Sequence, residues 1–164
     1  MGQFAALIHE LKHEATGTRR MLENISTDKL TWKPHEKSKT LGQLAAHVAE
    51  IPRWANHIMT EREFNMATNV FDRVKGSSKE EIITSFEQVL ARAVEVLEHA
   101  NDEEWTMNWA FKSGDHTVFD LPRYAAVRSM VMNHLIHHRG QLSVYLRLLN
   151  IPVPGMYGPS ADER

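Results

Sequence analysis

Cysteine is missing from all 164 residues, so disulfides, thiolate metal sites and cysteine nucleophiles are excluded, and any metal must be held by histidine and carboxylates. No apolar run approaches the roughly 18 residues that a membrane span requires, and the N-terminal residues lack a basic-then-apolar signal pattern. These two absences predict a cytoplasmic protein with no membrane partner. Charge of one sign is lacking too: 19 Lys and Arg stand against 21 Asp and Glu, for a formal net charge of −2, and the cations are scattered among acids. Without a basic stripe there is little to grip a phosphate backbone, which argues against nucleic acid as a partner. Glycine-rich phosphate loops are absent, as is any nucleophile motif for Ser-His-Asp catalysis. What the chain has in quantity is histidine, ten residues with no His-rich tail to account for them.

The length predicts one domain over residues 1–164 with a proper core. Phe4, Leu7, Ile8, Leu11, Ala15, Thr18, Leu22 and Ile25 recur at helical spacing and mark a first amphipathic helix. Its His9 and His13 point away from that stripe, beside Glu10, Lys12 and Glu14, and read as a solvated pair. After a break over Ser26 to Thr40, Thr40 and Gln43 form a capping box for a second helix. That helix carries Leu41, Leu44, Val48, Ile51, Ala55 and Ile58 and is kinked by Pro52. A connector over Asn65 to Gly76 leads to a third helix, capped by Ser77 or Ser78 and carrying Ile82, Ile83, Phe86, Val89, Leu90, Ala93, Val94 and Leu97. Asn101 to Thr117, with Trp105, Trp109, Phe111 and the turn Ser113-Gly114-Asp115, reads as an ordered loop with at most a short hairpin. Asp120 caps the last helix, with Pro122 in its first turn, and Asn150 and Pro152 stop it. The Pro- and Gly-rich tail is expected to lie extended across the bundle. No strand of convincing length appears, so the predicted fold is all-α, a four-helix bundle with long crossover connections.

The last helix contains M-N-H-L-I-H-H-R-G-Q-L-S-V-Y, which places His134 and His138 four residues apart on one face. Its core face reads Val127, Val131, His134, His138, Gln141 or Leu142, Tyr145 and Leu149. An uncompensated imidazole on such a face is costly to bury, and a metal offers both lone pairs a partner at once. His47 falls at the edge of the second helix's stripe; alone, it reads as a half-buried histidine with a hydrogen-bond partner. His137 lies about a quarter-turn from the stripe and fits a supporting or interfacial role, His57 turns toward solvent, and His99 suits the helix C-terminus. Three neutral imidazoles suffice for a divalent transition metal with an open position. Glu50 and Glu61 point elsewhere, so no fourth ligand is apparent. Arg139 reads as a surface ion pair rather than a contact to an anionic substrate.

The pattern L-T-W-K-P, T-L-G-Q-L-A-A-H-V, N-H-L-I-H-H-R-G-Q-L-S-V-Y-L-R and Y-G-P-S-A-D, in this order from about Phe4 to Asp162, resembles the DinB-like (DinB/YfiT) family. Its most specific parts are the histidine of the second helix and H-x-x-x-H-R-G-Q. The resemblance implies a four-helix bundle, often a homodimer, in which three histidines bind nickel, zinc or a similar divalent ion. Matched by motif, these are His47, His134 and His138, with no catalytic residue assigned. It further implies a small-molecule substrate and a metal-dependent enzyme. Such relatives include transferases using a low-molecular-weight thiol as cosubstrate, a thiol-dependent isomerase, metal-dependent hydrolases and proteins known only as stress-induced. A non-catalytic metal-binding stress-response dimer is the alternative. Asn150 stands where many relatives have glycine, and it tolerates the left-handed cap.

Overall fold

The computed structural model describes residues 4–70 and 73–163. Four helical positions make the bundle: α1 (Ala5–Glu23), the bent pair α2 (Leu41–Glu50) and α3 (Arg53–Thr60), α4 (Lys79–His99), and a last rod formed by α6 (Arg123–Val127), a π-helical turn (Arg128–Asn133) and α7 (His134–Leu148). Between them lie β1 (Glu63–Asn65), a short α5 (Asp102–Thr106), and β2 (Asn108–Ser113) with β3 (His116–Pro122). α4 packs on α1, α2 and α3, while α7 packs on α2 and α1. The architecture is the four-helix bundle expected, with a small sheet added at one end. No helix among the described residues is long and apolar enough to cross a membrane.

Local chemistry explains the boundaries. The Thr40 hydroxyl accepts from the Gln43 amide while the Gln43 side chain accepts from the Thr40 amide, so both donors at the start of α2 are satisfied. Pro52 separates α2 from α3, as its missing N–H requires. Of the two candidate serines it is Ser78 that caps α4, by accepting from the Glu81 amide, while Ser77 donates its hydroxyl to the Glu81 carboxylate. Asn150 takes φ 55°, the left-handed conformation that ends α7. The tail then lies across α1, where Asn24 donates to the Pro152 carbonyl and Arg20 to that of Gly155. The connector before α4 is pinned by a backbone approach: a Cβ on Gly42 would fall 2.3 Å from the Gly76 carbonyl oxygen, and Gly76 itself has φ 69°. Two of that connector's residues, Phe71 and Asp72, lie outside the described residues.

Two core clusters share the bundle. One joins Met21, Leu22, Leu44, Val48, Phe86, Leu135, Leu142 and Leu146 around α2 and α7. The other joins Leu11, Ile58, Phe64, Leu97, Trp105, Trp109 and Val131 at the sheet end.

Four expectations are corrected. Strands are present: β1 pairs parallel with β2, and β2 antiparallel with β3 through the Ser113-Gly114-Asp115 turn, with a register shift at Phe111/Lys112 that breaks the alternation a sequence reader looks for. Asp120 does not cap the last helix. It is held in the ladder opposite Ala110, and α6 begins only at Arg123, after Pro122, with no side-chain cap. The buried face of the last rod runs Val127, Val131, Leu135, Arg139, Leu142 and Leu146, not through His134 and His138. The π turn is the reason, because the His134 amide bonds the Ser129 carbonyl five residues back and the added residue turns the following face by about one position. Finally, Glu14 and Arg139, read as surface groups, are both buried.

Candidate metal centre

α2 and α7 carry the three histidines to one place. The capping box fixes where α2 starts, and α7 starts on His134 directly after the π turn. By shifting the stripe, that turn leaves His134 and His138 half-buried at the seam facing α2, where His47 is half-buried as well. His47 Nε2 lies 3.1 Å from His134 Nε2. The His47 and His138 rings meet edge-on with centroids 4.4 Å apart, and those of His134 and His138 are 4.7 Å apart. One nitrogen from each lies within 4.8 Å of the others, and among the described residues this is the one cluster of three or more His, Cys, Asp or Glu so disposed.

The other ring nitrogens are committed elsewhere. His138 Nδ1 donates to Gln141 Oε1 at 2.7 Å, one turn further on, which leaves Nε2 with its lone pair. His134 bonds the Met130 backbone carbonyl through its remaining nitrogen, which likewise directs the Nε2 lone pair toward His47. All three imidazoles are held below the ordinary histidine range. For His47 burial is the main cause, followed by the charges of His138, His134, Lys39 and Arg73, and its pKa falls to about 3. Burial also leads for His134, with His138 next, and for His138, where the Gln141 contact opposes it. The set is therefore neutral at pH 7, the state that ligates metal.

Carboxylates near the cluster are engaged elsewhere. Glu50 accepts from the Val74 amide at 2.9 Å and pairs with Arg53 at 3.2 Å, while Glu61 accepts from His57 at 2.7 Å. Three converging neutral imidazoles without an acid match the donor chemistry of a divalent transition ion, so the residues fit such a group.

The other histidines divide as the facing argument requires, with one exception. His9, His13 and His116 are exposed, and His99 bonds the Glu95 carbonyl. His137 is exposed and meets His138 edge-on. His57 is the exception, half-buried between Glu61 and the rings of Trp54 and Phe64 rather than turned to solvent.

Sequence reasoning missed the support behind the ligands. The Arg139 side chain, 3% exposed, forms an ion pair with Glu14, 7% exposed, and also donates to the Glu14 carbonyl at 2.8 Å and the Thr18 hydroxyl at 3.2 Å. Tyr157 from the tail joins it, accepting from Arg139 at 2.8 Å and donating to the Glu14 carboxylate at 3.0 Å. This network ties α1, α7 and the tail together at the residue next to His138. The signal available was spacing, since Arg139 follows Leu135 by four and precedes Leu142 by three.

A bundle whose second and last helices bring three neutral histidines together defines a class, the helical proteins with a histidine-only candidate metal centre. Residues 1–164 match the DinB family, and the chain belongs to it. It is 27% identical over 171 residues to YrdA of Bacillus subtilis strain 168, an uncharacterized protein, with 98% of this chain and 93% of that one covered. A DinB-like protein from Bacillus cereus ATCC 10987 shares its fold with a TM-score of 0.68 at 24% identity, over 89% of this chain and 92% of that one. YfiT from Bacillus subtilis, described as a probable metal-dependent hydrolase with an unusual four-helix bundle topology, has a TM-score of 0.65 at 12% identity, over 90% of this chain and 88% of that one.

Proposed function

We propose that this protein is a divalent-metal-dependent enzyme acting on a small molecule, with the ion, nickel or zinc, held by His47, His134 and His138. One observation carries the reading: three neutral imidazoles converge and no carboxylate completes the set among the described residues. A structural site closes with four protein ligands, whereas three leave room for a reactant. When bound, such an ion lowers the pKa of a water or thiol and so supplies a nucleophile near neutral pH. The chain's own residues do the rest. Gln141 and the Met130 carbonyl orient two of the imidazoles, and the Arg139–Glu14 pair anchors α7 behind them. Hydrolysis and transfer to a low-molecular-weight thiol are the two reactions that fit, and YfiT's description supports the first.

The alternative is a non-catalytic, metal-binding stress-response homodimer. Val144 and Leu148, exposed on the outer face of α7, favour a second copy there. Absorption spectra of the cobalt-substituted protein distinguish the two. An enzyme with an open position changes its visible bands when a small thiol is added; an unchanged spectrum at saturating thiol supports the closed site and overturns the enzymatic reading.

A further inference from the structure

Three depressions meet around Arg53. A recess of about 60 Å³ beside His47 is lined by His47, Glu50, Ile51, Arg53, Trp54 and Arg73. Arg53 also lines a groove of about 420 Å³ between α3 and α4. With Arg73 it lines another of about 540 Å³ that reaches Lys75. The deepest end of this connected surface is the histidine cluster, and its shared walls are cationic.

Charge and polarity across the recess are uneven. Two guanidinium groups stand against one carboxylate, Glu50, which is already committed to the Val74 amide and to Arg53. A guanidinium carries five N–H donors in a rigid fork, so pairing with Glu50 leaves Arg53 able to bond a second acceptor. Ile51, 1% exposed, and the Trp54 ring supply an apolar wall that lowers the local dielectric and strengthens any charge pairing. On the far side of the cluster the Tyr145 hydroxyl donates to the Lys39 carbonyl at 3.1 Å and fixes that backbone. The positive charge of Lys39 bears on both His47 and His138, as that of Arg73 does on His47. The histidines thus sit between cations on two sides, which focuses attraction for a negatively charged molecule.

We propose that the recess beside His47 is an anion-recognising subsite, in which Arg53 and Arg73 take the carboxylate of a small acidic substrate and present its reacting group to His47, His134 and His138. The inference rests on the metal-centre reading above and adds the substrate class: a molecule with a negative charge a short apolar span away from the reacting atom. Neutral or cationic analogues of the same size are discriminated against, because they leave the guanidinium groups without an acceptor.

The test is a spectral titration of the cobalt-loaded full-length protein with mercaptopropionate, mercaptopropanol and cysteamine, which differ in the charge at the end remote from sulfur. The expected result is that mercaptopropionate binds about tenfold more tightly than mercaptopropanol, with cysteamine weakest. Arg53→Gln and Arg73→Gln each cut that preference to about threefold or less with cobalt content unchanged, and Arg53→Lys, which keeps the charge, retains most of it. Equal binding of the charged and neutral thiols, or a preference that survives both glutamine variants, overturns the subsite while leaving the metal centre intact. Protein that takes up no cobalt overturns the metal-centre reading and the subsite with it.

Discussion

Glu14→Gln is the substitution whose cost the structure specifies most closely. The change is isosteric, so it creates no cavity, and the amide oxygen still accepts a hydrogen bond. What it removes is the charge that compensates an Arg139 side chain only 3% exposed. Breaking a buried pair by neutralising one member costs about 3–5 kcal/mol, because the remaining charge is left desolvated. The retained hydrogen bond places this case at the lower end, about 3 kcal/mol. With a urea dependence of roughly 2 kcal/mol per molar for a chain of this size, the unfolding midpoint falls by about 1.5 M. The double variant Glu14→Leu/Arg139→Met removes both charges and is predicted to be within about 1 kcal/mol of wild type. Equilibrium urea unfolding followed by Trp fluorescence measures all three. A loss below about 1 kcal/mol for Glu14→Gln, or a double variant as unstable as the single one, refutes the claim that the pair is buried and mutually compensated.

Three further outcomes follow from the same geometry. Gln141→Ala frees His138 Nδ1, and metal affinity in a competitive chelator titration falls by about 10- to 100-fold while stability barely changes, since Gln141 is exposed; unchanged affinity contradicts the orienting role. Gly42→Ala drives a Cβ against the Gly76 carbonyl and lowers stability by about 2–3 kcal/mol, whereas Gly140→Ala, with open space around it, raises stability by up to about 1 kcal/mol; thermal melts of the two variants check the contrast. The folded-state pKa of His47 is below its unfolded value, so its contribution is present above about pH 6.5 and is lost as pH falls toward about 3. At pH 5 that amounts to about 2 kcal/mol at face value and about 1 kcal/mol after discounting for partial solvent screening. Metal-free wild type should therefore lose more stability between pH 7.5 and 5 than metal-free His47→Gln, and equal losses contradict the assignment.

The helices were legible because their signals are local: the Thr40 capping box, the Pro52 break and the Asn150 cap each act within one turn of chain. The convergence of His47 with His134 and His138 was also legible, from facing combined with motif resemblance. The π turn was not, because nothing in Arg128 to Asn133 breaks helical periodicity, and the inserted residue shows only in the fourfold spacing from Val127 through Val131 and Leu135 to Arg139. Missing it put His134 and His138 at the centre of the core stripe when they lie at its edge. The same miss turned Arg139 outward. The burial of Glu14 depends on Arg139 arriving 125 residues later, a long-range fact that α1 alone does not encode. The hairpin was hidden by its register shift and by the mostly exposed face of β3.

The central claim is that three histidines together hold one ion, and elemental analysis after reconstitution tests it directly. Chelator-stripped protein is reloaded with nickel or zinc, desalted and measured, alongside His47→Ala, His134→Ala and His138→Ala. The account predicts about one ion per chain in the wild type and near-complete loss in each variant. Wild type that retains no metal, or variants that retain as much as wild type, would contradict it.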